Sequence, residues 1–477
     1  GEGTAGGIVA RVDGGVPVLV ADPAARVRGH QRLALTVREL HYADALATRA
    51  DVAAATLRAD LELGAQRTAA IALDVPAIAA TSRGIKLGAQ ALAVRLDATL
   101  GAHGVDGKLV VRAASATQSL APWYAIGSPS IEATVRGDPD ATLALALAVA
   151  NPGGGTTFSV SGDLERGEAA GAASVVARNS LALEGTLAQV LDKLDGAPGK
   201  LRARGAVRVP FRVESGDLAL FRATAQVGLD RVAIELPAAR IAVRDLTGSV
   251  PIVQELVVGP DGVAPVGQGE HGPFSQLRFP DYRPFTGDAD YLAVGQVEVR
   301  GRTFGPIAGN ARVDHDVIAL DQLELAALGG KITGQLVAEL RGADTRVGFR
   351  GKLTGLRAPT QGGLVGGDPL DANAALALVP YRYGLEGRAE IVRIGKEQLR
   401  GLLDVWDPYR ADVAANRVRL ALLAGYPKQV RLSFASGFAG LAIELGGLAG
   451  AVRIDELRGI PIGPALAHWL APILESP

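Results

Sequence analysis

Apolar and polar residues alternate with a period of two along most of the 477-residue chain. In 33-LALTVREL-40, Leu33, Leu35 and Val37 occupy one set of alternate positions, and polar or small residues occupy the other set. Successive side chains of a strand point to opposite faces, so this pattern predicts a sheet with one apolar and one solvated face. The same alternation recurs at 57–63, 69–75, 131–137, 143–149, 157–165, 201–213, 218–229, 232–250 and 291–357.

Glycine-containing breaks separate the alternating segments and predict hairpins or loops between strands. They lie at 64, 84, 104, 106–107, 215–216 and 261–262. Many strands at this spacing, with few segments that could serve as crossover helices, favour a long antiparallel meander over a parallel α/β sheet. The fold class predicted by the pattern is therefore mainly β, with a few short helices that are mostly C-terminal.

Four segments show helical spacing of their apolar residues. The first is 185–196, which has leucines or valine at 187, 190, 191 and 194. The next two are 395–406 and about 409–425, and the last is 464–474. The last segment has two interpretations: a helix at a membrane surface, or a cap over the open end of the sheet. Its polar side lacks the Lys and Arg typical of membrane-surface helices, which favours the cap.

Composition along the chain predicts four regions. Residues 1–257 form a repetitive antiparallel β-sheet region, and residues 258–290, rich in Gly and Pro, form a joint. The sheet then continues over 291–394, and 395–477 is a C-terminal module of helices and closing strands.

The glycines in 327-ALGGKITGQL-336 have two interpretations, a phosphate-binding loop or a tight turn between strands. A phosphate loop needs Lys followed by Ser or Thr and then a helix, but Ile332 follows Lys331 and a strand pattern comes next. Alternating segments flank Gly329-Gly330, and such a pair readily supplies the positive φ angles of a primed hairpin turn. The sequence therefore predicts a hairpin.

Composition excludes several classes of site. There are 49 basic and 50 acidic residues, so the chain lacks the positive charge of a nucleic-acid-binding protein. Cysteine is absent, which excludes disulfides, thiolate metal sites and a cysteine nucleophile. Hydrophobic residues make up 48% of the chain and aromatic residues only 4%, so small aliphatic side chains must build the core. The most apolar run, 143–150, is too short for a transmembrane helix.

Chemistry-bearing residues are scattered. Of the six histidines, only His315 in 314-DHD-316 suggests a cation site, and the interpretation as a polar strand tip, which needs no ligand, is favoured. His41-Tyr42 with Asp44 could suggest catalysis, but no G-x-S-x-G nucleophile motif is present. The alternating carboxylates Glu324 and Glu339 are interpreted as parts of a solvated outer face. We expect no catalytic site, no metal and no cofactor.

Several short motifs give the chain a family resemblance. They are the strand–turn–strand unit around 327-ALGGKITGQL-336, the segment 245-DLTGSVPI-252, and the C-terminal segments 402–408, 425–448 and 453–464. Together they resemble the recurring unit and the closing module of the AsmA-like superfamily of bacterial envelope proteins. The resemblance is best over roughly 300–464. It implies a long curved antiparallel sheet that forms an open apolar trough.

The resemblance also implies a function, which is the transport or shielding of glycerophospholipids between the inner and outer membranes. The expected partners are a phospholipid or other acyl-chain ligand and one or both membranes, in the periplasm, with a membrane anchor outside the present chain. The alternative is an assembly factor that templates outer-membrane proteins by strand addition. The apolar alternation supplies the predicted groove lining: Val207, Val209, Phe211, Leu323, Leu325, Ile332, Leu336 and Phe349.

Overall fold

A computed structural model describes most of the chain. The described ranges are 2–14, 29–43, 49–63, 66–82, 85–102, 104–121, 123–138, 140–166, 179–194, 201–237, 240–259, 262–266, 291–299, 301–340, 345–357, 359–360, 363–364, 366–382, 384–407, 409–435, 438–447 and 452–461.

Strands dominate these residues. They are β1 (Glu2–Gly14), β2 (Gly29–Ala43), β3 (Arg49–Leu63), β4 (Arg67–Ser82), β5 (Ile85–Leu100), β6 (Val105–Arg112), β7 (Ser115–Gln118), β8 (Ser130–Gly137), β9 (Thr142–Asn151), β10 (Thr156–Arg166), β11 (Asn179–Val190), β12 (Arg202–Ser215), β13 (Leu220–Leu236), β14 (Ile241–Gly259), β15 (Gly262–Pro265), β16 (Tyr291–Val299), β17 (Arg302–Phe304), β18 (Ile307–Asp314), β19 (Val317–Ala327), β20 (Gly330–Glu339), β21 (Arg346–Leu356), β22 (Pro359–Thr360), β23 (Gly363–Leu364), β24 (Leu370–Val379), β25 (Gly384–Arg393), β26 (Gly425–Ala435), β27 (Phe438–Gly447) and β28 (Val452–Pro461). The described α-helices are α1 (Lys396–Trp406) and α2 (Val413–Ala424).

The chain divides into two compact units. The first comprises residues 1–197, 202–226 and 254–265. In it, β1 to β5 pair in chain order, β5 pairs with both β6 and β7, and β6 pairs with β8. The meander then continues in chain order from β8 to β12. All of these pairings are antiparallel, and within the described residues none of them joins β1 to β12.

The second unit comprises residues 198–201, 227–253 and 266–477. Here β14 pairs with β16, and β16 pairs with β17 and β18. The order then follows the chain from β18 to β21, and on through β24 and β25 to β26, β27 and β28. A two-residue parallel contact between β14 and β18 is the exception to the antiparallel pattern. The predicted fold class, a mainly β open antiparallel meander with C-terminal helices, is confirmed.

The hairpin predicted at the glycine pair is also confirmed, with its turn one residue earlier. Ala327 pairs with Gly330, so the two turn residues are Leu328 and Gly329. Both have positive φ, +49° and +74°, as a primed turn requires. Gly330 is needed for a different reason: a Cβ there would lie 2.3 Å from the carbonyl oxygen of Thr354 on the next strand.

The helix predicted over 185–196 is wrong. Residues 185–190 complete β11, and only Leu191–Lys193 form a single 3₁₀ turn. The strand has paired neighbours on both sides, β10 and β12. The period-two pattern of this segment therefore prevails over its helical spacing, because a strand here satisfies both ladders of backbone hydrogen bonds.

Two of the three helices predicted in the C-terminal part are found, one of them with a shifted start. α1 matches 395–406. α2 begins at Val413 rather than at 409, because the Asp412 side chain accepts a hydrogen bond from the backbone N–H of Ala415 at 2.7 Å and caps the helix there. The helix predicted at 464–474 lies outside the described residues, as does most of the predicted joint at 258–290.

A bulge in β19 keeps its apolar side chains on one face. Leu320 pairs with Leu336, but Leu323 pairs with Gly334, so the register shifts by one residue between them. Gln322 has a φ of +51° at this point. Leu320 and Leu323 therefore face the same side although they are three positions apart, which strict alternation would not predict.

Candidate functional site

One face of the first unit carries an uninterrupted apolar row across ten strands. Cross-strand partners share a face, so the row can be followed from one pairing to the next. We call the face that carries it the N-terminal apolar face. Its central row is Leu35, Leu57, Leu73, Val94, Val111, Ile131, Val149, Phe158, Leu187 and Val209. At about 4.8 Å per strand, this row extends roughly 40 Å along the sheet.

The side chains of this row are incompletely buried. None of the ten falls in the buried class. Ile131 and Leu187 leave 39% and 38% of their surface exposed. A sheet face that packs against another layer buries such residues, so these exposures identify a large apolar surface that remains accessible.

A second row runs beside the first and contains smaller residues. It consists of Leu33, Ala59, Ile71, Leu96, Leu109, Ala133, Leu147, Val160, Gly185 and Phe211. Between the strands of its middle part lies a cavity of ≈ 510 Å³, with Leu96, Leu109 and Leu147 in its lining. This volume is within the range of small-molecule sites, and its walls are almost wholly aliphatic.

The predicted residues Val209 and Phe211 lie in these two rows. Phe211 pairs with Gly185, and its ring stacks on Phe158 with the ring centroids 5.8 Å apart. A Cβ at Gly185 would lie 2.3 Å from the Phe211 ring, so the glycine provides the space that the ring occupies. The sequence prediction omitted the other row members, although the same alternation in β2 to β11 identifies them.

The predicted residue Val207 marks one margin of the face. It pairs with Gln189, which pairs with Thr156, which in turn pairs with Asn151. The polar residues are hydrogen-bonded: the Tyr124 hydroxyl lies 2.7 Å from that of Thr156, and the Asn151 side chain accepts from a loop N–H at 3.0 Å. The apolar rows therefore end in a polar, internally satisfied border.

The opposite face of the same strands is charged and self-neutralising. Cross-strand ion pairs join Arg95 to Asp74 at 2.6 Å and Lys108 to Glu132 at 2.6 Å, and further pairs of this kind lie along the face. The hydrogen bond from Lys108 holds the pKa of Glu132 below its ordinary value. This face is the solvated side that the alternation predicts.

In the second unit, the predicted residues of β19, β20 and β21 also share one face. Leu325 pairs with Ile332, and Leu336 pairs with Phe349. Leu323, opposite Gly334, is 5% exposed, and the other four are half-buried. The structure therefore places all five on one apolar surface of this unit.

The row through Leu325 and Ile332 continues beneath the two helices. It proceeds through Leu353, Ala372, Ile391, Val430 and Ile443. From Ala372 onward these side chains are buried, because Leu399, Leu403, Ala415, Val418 and Leu422 of α1 and α2 pack on them. We call this covered part the C-terminal core.

The other face of β19 and β20 differs from the expectation for Glu339. Glu339 is only 8% exposed, and on the same face Val337 is 1% and Asp321 2% exposed. The expectation that Glu339 belongs to a solvated face is therefore wrong, because this stretch of the polar face is buried. Glu324 does conform: its side chain is 60% exposed and pairs with Lys331 at 2.8 Å.

The residues considered for chemistry show simple surface contacts. His315 forms the tip of the β18–β19 hairpin, where its ring lies 2.6 Å from the Asp314 carboxylate. His41 lies 2.6 Å from Asp51 on the adjacent strand, and both side chains are more than 60% exposed. Among the described residues, no group of His, Asp and Glu is arranged to hold a metal ion.

No protein-family model, curated protein or solved structure matches the chain. In the part of the chain that the structure describes, neither helix has the length and apolar character needed to cross a bilayer.

Proposed function

We propose that the protein binds the acyl chains of glycerophospholipids on its N-terminal apolar face and thereby transports or shields lipid between the two membranes of a bacterial envelope. The observation that carries the proposal is the ten-residue central row, which is apolar throughout and buried nowhere. The periplasmic location and the membrane partners rest on the resemblance to AsmA-like proteins.

The proposed mechanism is passive. Transfer of hydrocarbon from water to an apolar surface contributes about 0.8 kcal/mol for each buried CH₂ group, and this interaction has no preferred direction. Neighbouring positions along a row offer similar aliphatic contacts, so a chain can shift by one strand without breaking a specific bond. Head groups remain in water beyond the polar margins of the face.

Adjacent residues of β4 provide a matched test. Leu73 lies in the central row between Leu57 and Val94, whereas Ala72 lies on the charged face between Arg58 and Arg95. Leu73→Asp and Ala72→Asp introduce the same charge on opposite faces. We expect Leu73→Asp to lower the amount of co-purifying lipid at least about tenfold, because a carboxylate buried against hydrocarbon costs several kcal/mol.

The measurement is native mass spectrometry combined with lipid extraction of the purified protein. Circular dichroism confirms that each variant is folded, and the milder Leu73→Asn replaces Leu73→Asp if the latter unfolds. Absence of acyl lipid from the wild-type protein, or equal lipid in the Leu73 and Ala72 variants, would refute the proposal.

A second candidate function is supported by β1. This strand has 13 residues, and within the described residues it pairs on one edge only, with β2. Long unpaired edges are templates for strand addition, so β1 could align a segment of an outer-membrane protein. In that case Val9→Pro, which removes a backbone N–H from β1, should abolish assembly of the outer-membrane protein that pairs with this strand. Leu73→Asp should leave that assembly intact. The reverse result would exclude this candidate.

A further inference from the structure

The polar face of the second unit contains a cationic depression that lies apart from the apolar rows. Its volume is ≈ 1000 Å³, and it extends over β21, β24, β25, β26 and β27. Arg350, Lys352, Arg388 and Arg431 line it together with a single carboxylate, Glu390. Four cations against one anion leave an excess of three positive charges.

The strand register places these cations around a floor of short side chains. Arg350 and Arg388 both pair with Ala375, which lies between them. Ser433 pairs with Arg388, and Ala442 pairs with Arg431. Strands are about 4.8 Å apart, so Arg350 and Arg388 flank a gap of roughly 10 Å that their long side chains can span.

The cations of the depression are largely available to a ligand. All four are exposed. Lys352 and Arg388 form no ion pair with any residue that the structure describes. Arg350 donates a hydrogen bond at 3.3 Å to the side chain of Gln335.

A comparable depression in the first unit has a different charge balance. It has a volume of ≈ 340 Å³ and is lined by Arg32, Arg58 and Arg95 with Asp60 and Asp97. Here Arg32 is paired with Asp60 at 3.1 Å, and Arg95 is paired outside the lining. An excess of positive charge is therefore not a general property of the polar faces of these strands.

We propose that the cationic depression binds an anion that carries more than one phosphate group. Arginine presents a planar fork of donors that matches phosphate oxygens, and lysine adds a compact charge. Cations on three strands favour a ligand with several phosphates over a single small anion. The same chemistry could come from a soluble polyphosphate or from the phosphates of anionic lipid head groups, and the two sources can be separated by experiment.

The test uses the full chain and two matched double variants. Lys352→Gln with Arg388→Gln removes two cations of the depression that form no ion pair with any described residue. Arg58→Gln with Arg208→Gln removes two exposed cations from the polar face of the first unit, which gives the same change in net charge. Circular dichroism melts verify that both variants fold.

Binding of sodium tripolyphosphate is measured by titration calorimetry, and binding to phosphatidylcholine vesicles with or without phosphatidic acid is measured by flotation. We expect saturable binding of the wild-type protein to at least one probe. The affinity should fall about tenfold or more in the Lys352/Arg388 variant and stay nearly unchanged in the control. The reason is that each charge-assisted hydrogen bond contributes more than about 1.4 kcal/mol, which is a factor of ten in affinity.

Binding of tripolyphosphate supports a soluble ligand, and binding only to phosphatidic acid vesicles supports a lipid head group. No binding of either probe, or equal weakening in both double variants, overturns the proposal. The outcome is independent of the acyl-chain proposal, because both double variants leave the N-terminal apolar face unchanged and should retain co-purifying lipid.

Discussion

The N-terminal apolar face and the C-terminal core arise from the same strand pattern but end in different states. In the first, none of the ten side chains of the central row is buried. In the second, Val430 and Ile443 are 1% and 2% exposed, and Leu403 and Leu422 of the helices are 1% and 0% exposed. The difference lies in the two helices inserted between β25 and β26, which cover one face of the strands around them.

Alternation specifies which side of a strand is apolar, but not whether that side is covered. Covering requires a separate amphipathic element in the right place in the chain. Where one is present, the apolar face becomes an ordinary core and supplies stability. In the first unit the face remains accessible and is suited to binding. The two regions should therefore respond differently to substitution.

The largest expected effect is in the C-terminal core. Leu422→Ala removes a fully buried side chain of α2 and should lower the free energy of unfolding by about 2–5 kcal/mol. Leu420→Ala is the matched control on the outer side of the same helix, where the side chain is 66% exposed. This substitution should change the free energy of unfolding by less than about 0.5 kcal/mol. Urea denaturation measures both; equal losses would show that α2 does not seal a core.

The next effect concerns the connection between α1 and α2. The side chain of Asp407 accepts hydrogen bonds from Arg419 at 2.9 Å and from the backbone N–H of Ala411 at 2.8 Å. Burial favours the neutral form, but the Arg419 guanidinium and the backbone N–H groups outweigh it and hold the pKa of Asp407 below its ordinary value of 3.8. Asp407→Asn should therefore loosen the helix pair and lower the denaturation midpoint.

The pH dependence follows from the sign of that shift. The stabilisation from ionised Asp407 is fully present above about pH 3.8 and is lost as the pH falls through the lower folded-state pKa. The wild-type advantage over Asp407→Asn should shrink over this acidic range, as measured by denaturation at a series of pH values. Asp404→Asn is the control, because this half-exposed carboxylate lies 3.3 Å from the same arginine. A constant difference across the range would contradict the assignment.

A smaller effect is expected on the N-terminal apolar face. Gly185→Ala places a methyl group where it would lie 2.3 Å from the Phe211 ring. The same methyl group would lie 2.5 Å from the backbone carbonyl oxygen of Ser159, which cannot move aside as the ring can. Overpacking costs about 1–3 kcal/mol, and we expect a loss of stability within this range. Thermal unfolding measures the loss, and lipid content should change as the aromatic pair is displaced. An unchanged melting temperature would contradict the close approach at Gly185.

The smallest expected effect is a gain, from the buried carboxyl of Glu339. Burial raises the pKa of Glu339 above its ordinary value of 4.5, Asp316 raises it further, and Arg346 opposes both. Between 4.5 and the raised folded-state pKa, the folded protein binds more protons, so its stability falls as the pH rises. Glu339→Gln should be slightly more stable at neutral pH and should lose less stability over this window.

Exposed Glu324 provides the control for this carboxyl. Glu324→Gln removes a solvated carboxylate from the same face, and the denaturation midpoint of both variants is measured at a series of pH values. If both substitutions flatten the profile equally, burial of Glu339 is not its cause.

Much of the fold could be predicted from period-two alternation and glycine breaks. The antiparallel meander, the β19–β20 hairpin and α1 were all predicted in this way. Val209 and Phe211, named from the same alternation, lie in the two apolar rows, and their role in lining a groove stays a prediction. The strand at 185–190 was missed because Leu187 fits both the period-two alternation and the helical spacing with Val190, Leu191 and Leu194, and pairing on both sides decides between them. The cationic depression has no sequence signature, because its cations come from three separate strands.

The sequence by itself determined which residues share an apolar side, because side-chain direction in a strand is a local property of the backbone. Only the tertiary structure decided which of those sides is covered, that Glu339 is buried, and that Leu320 and Leu323 face together across a bulge. The physical reason is that burial depends on what packs against a face, and the packing element can come from a distant part of the chain.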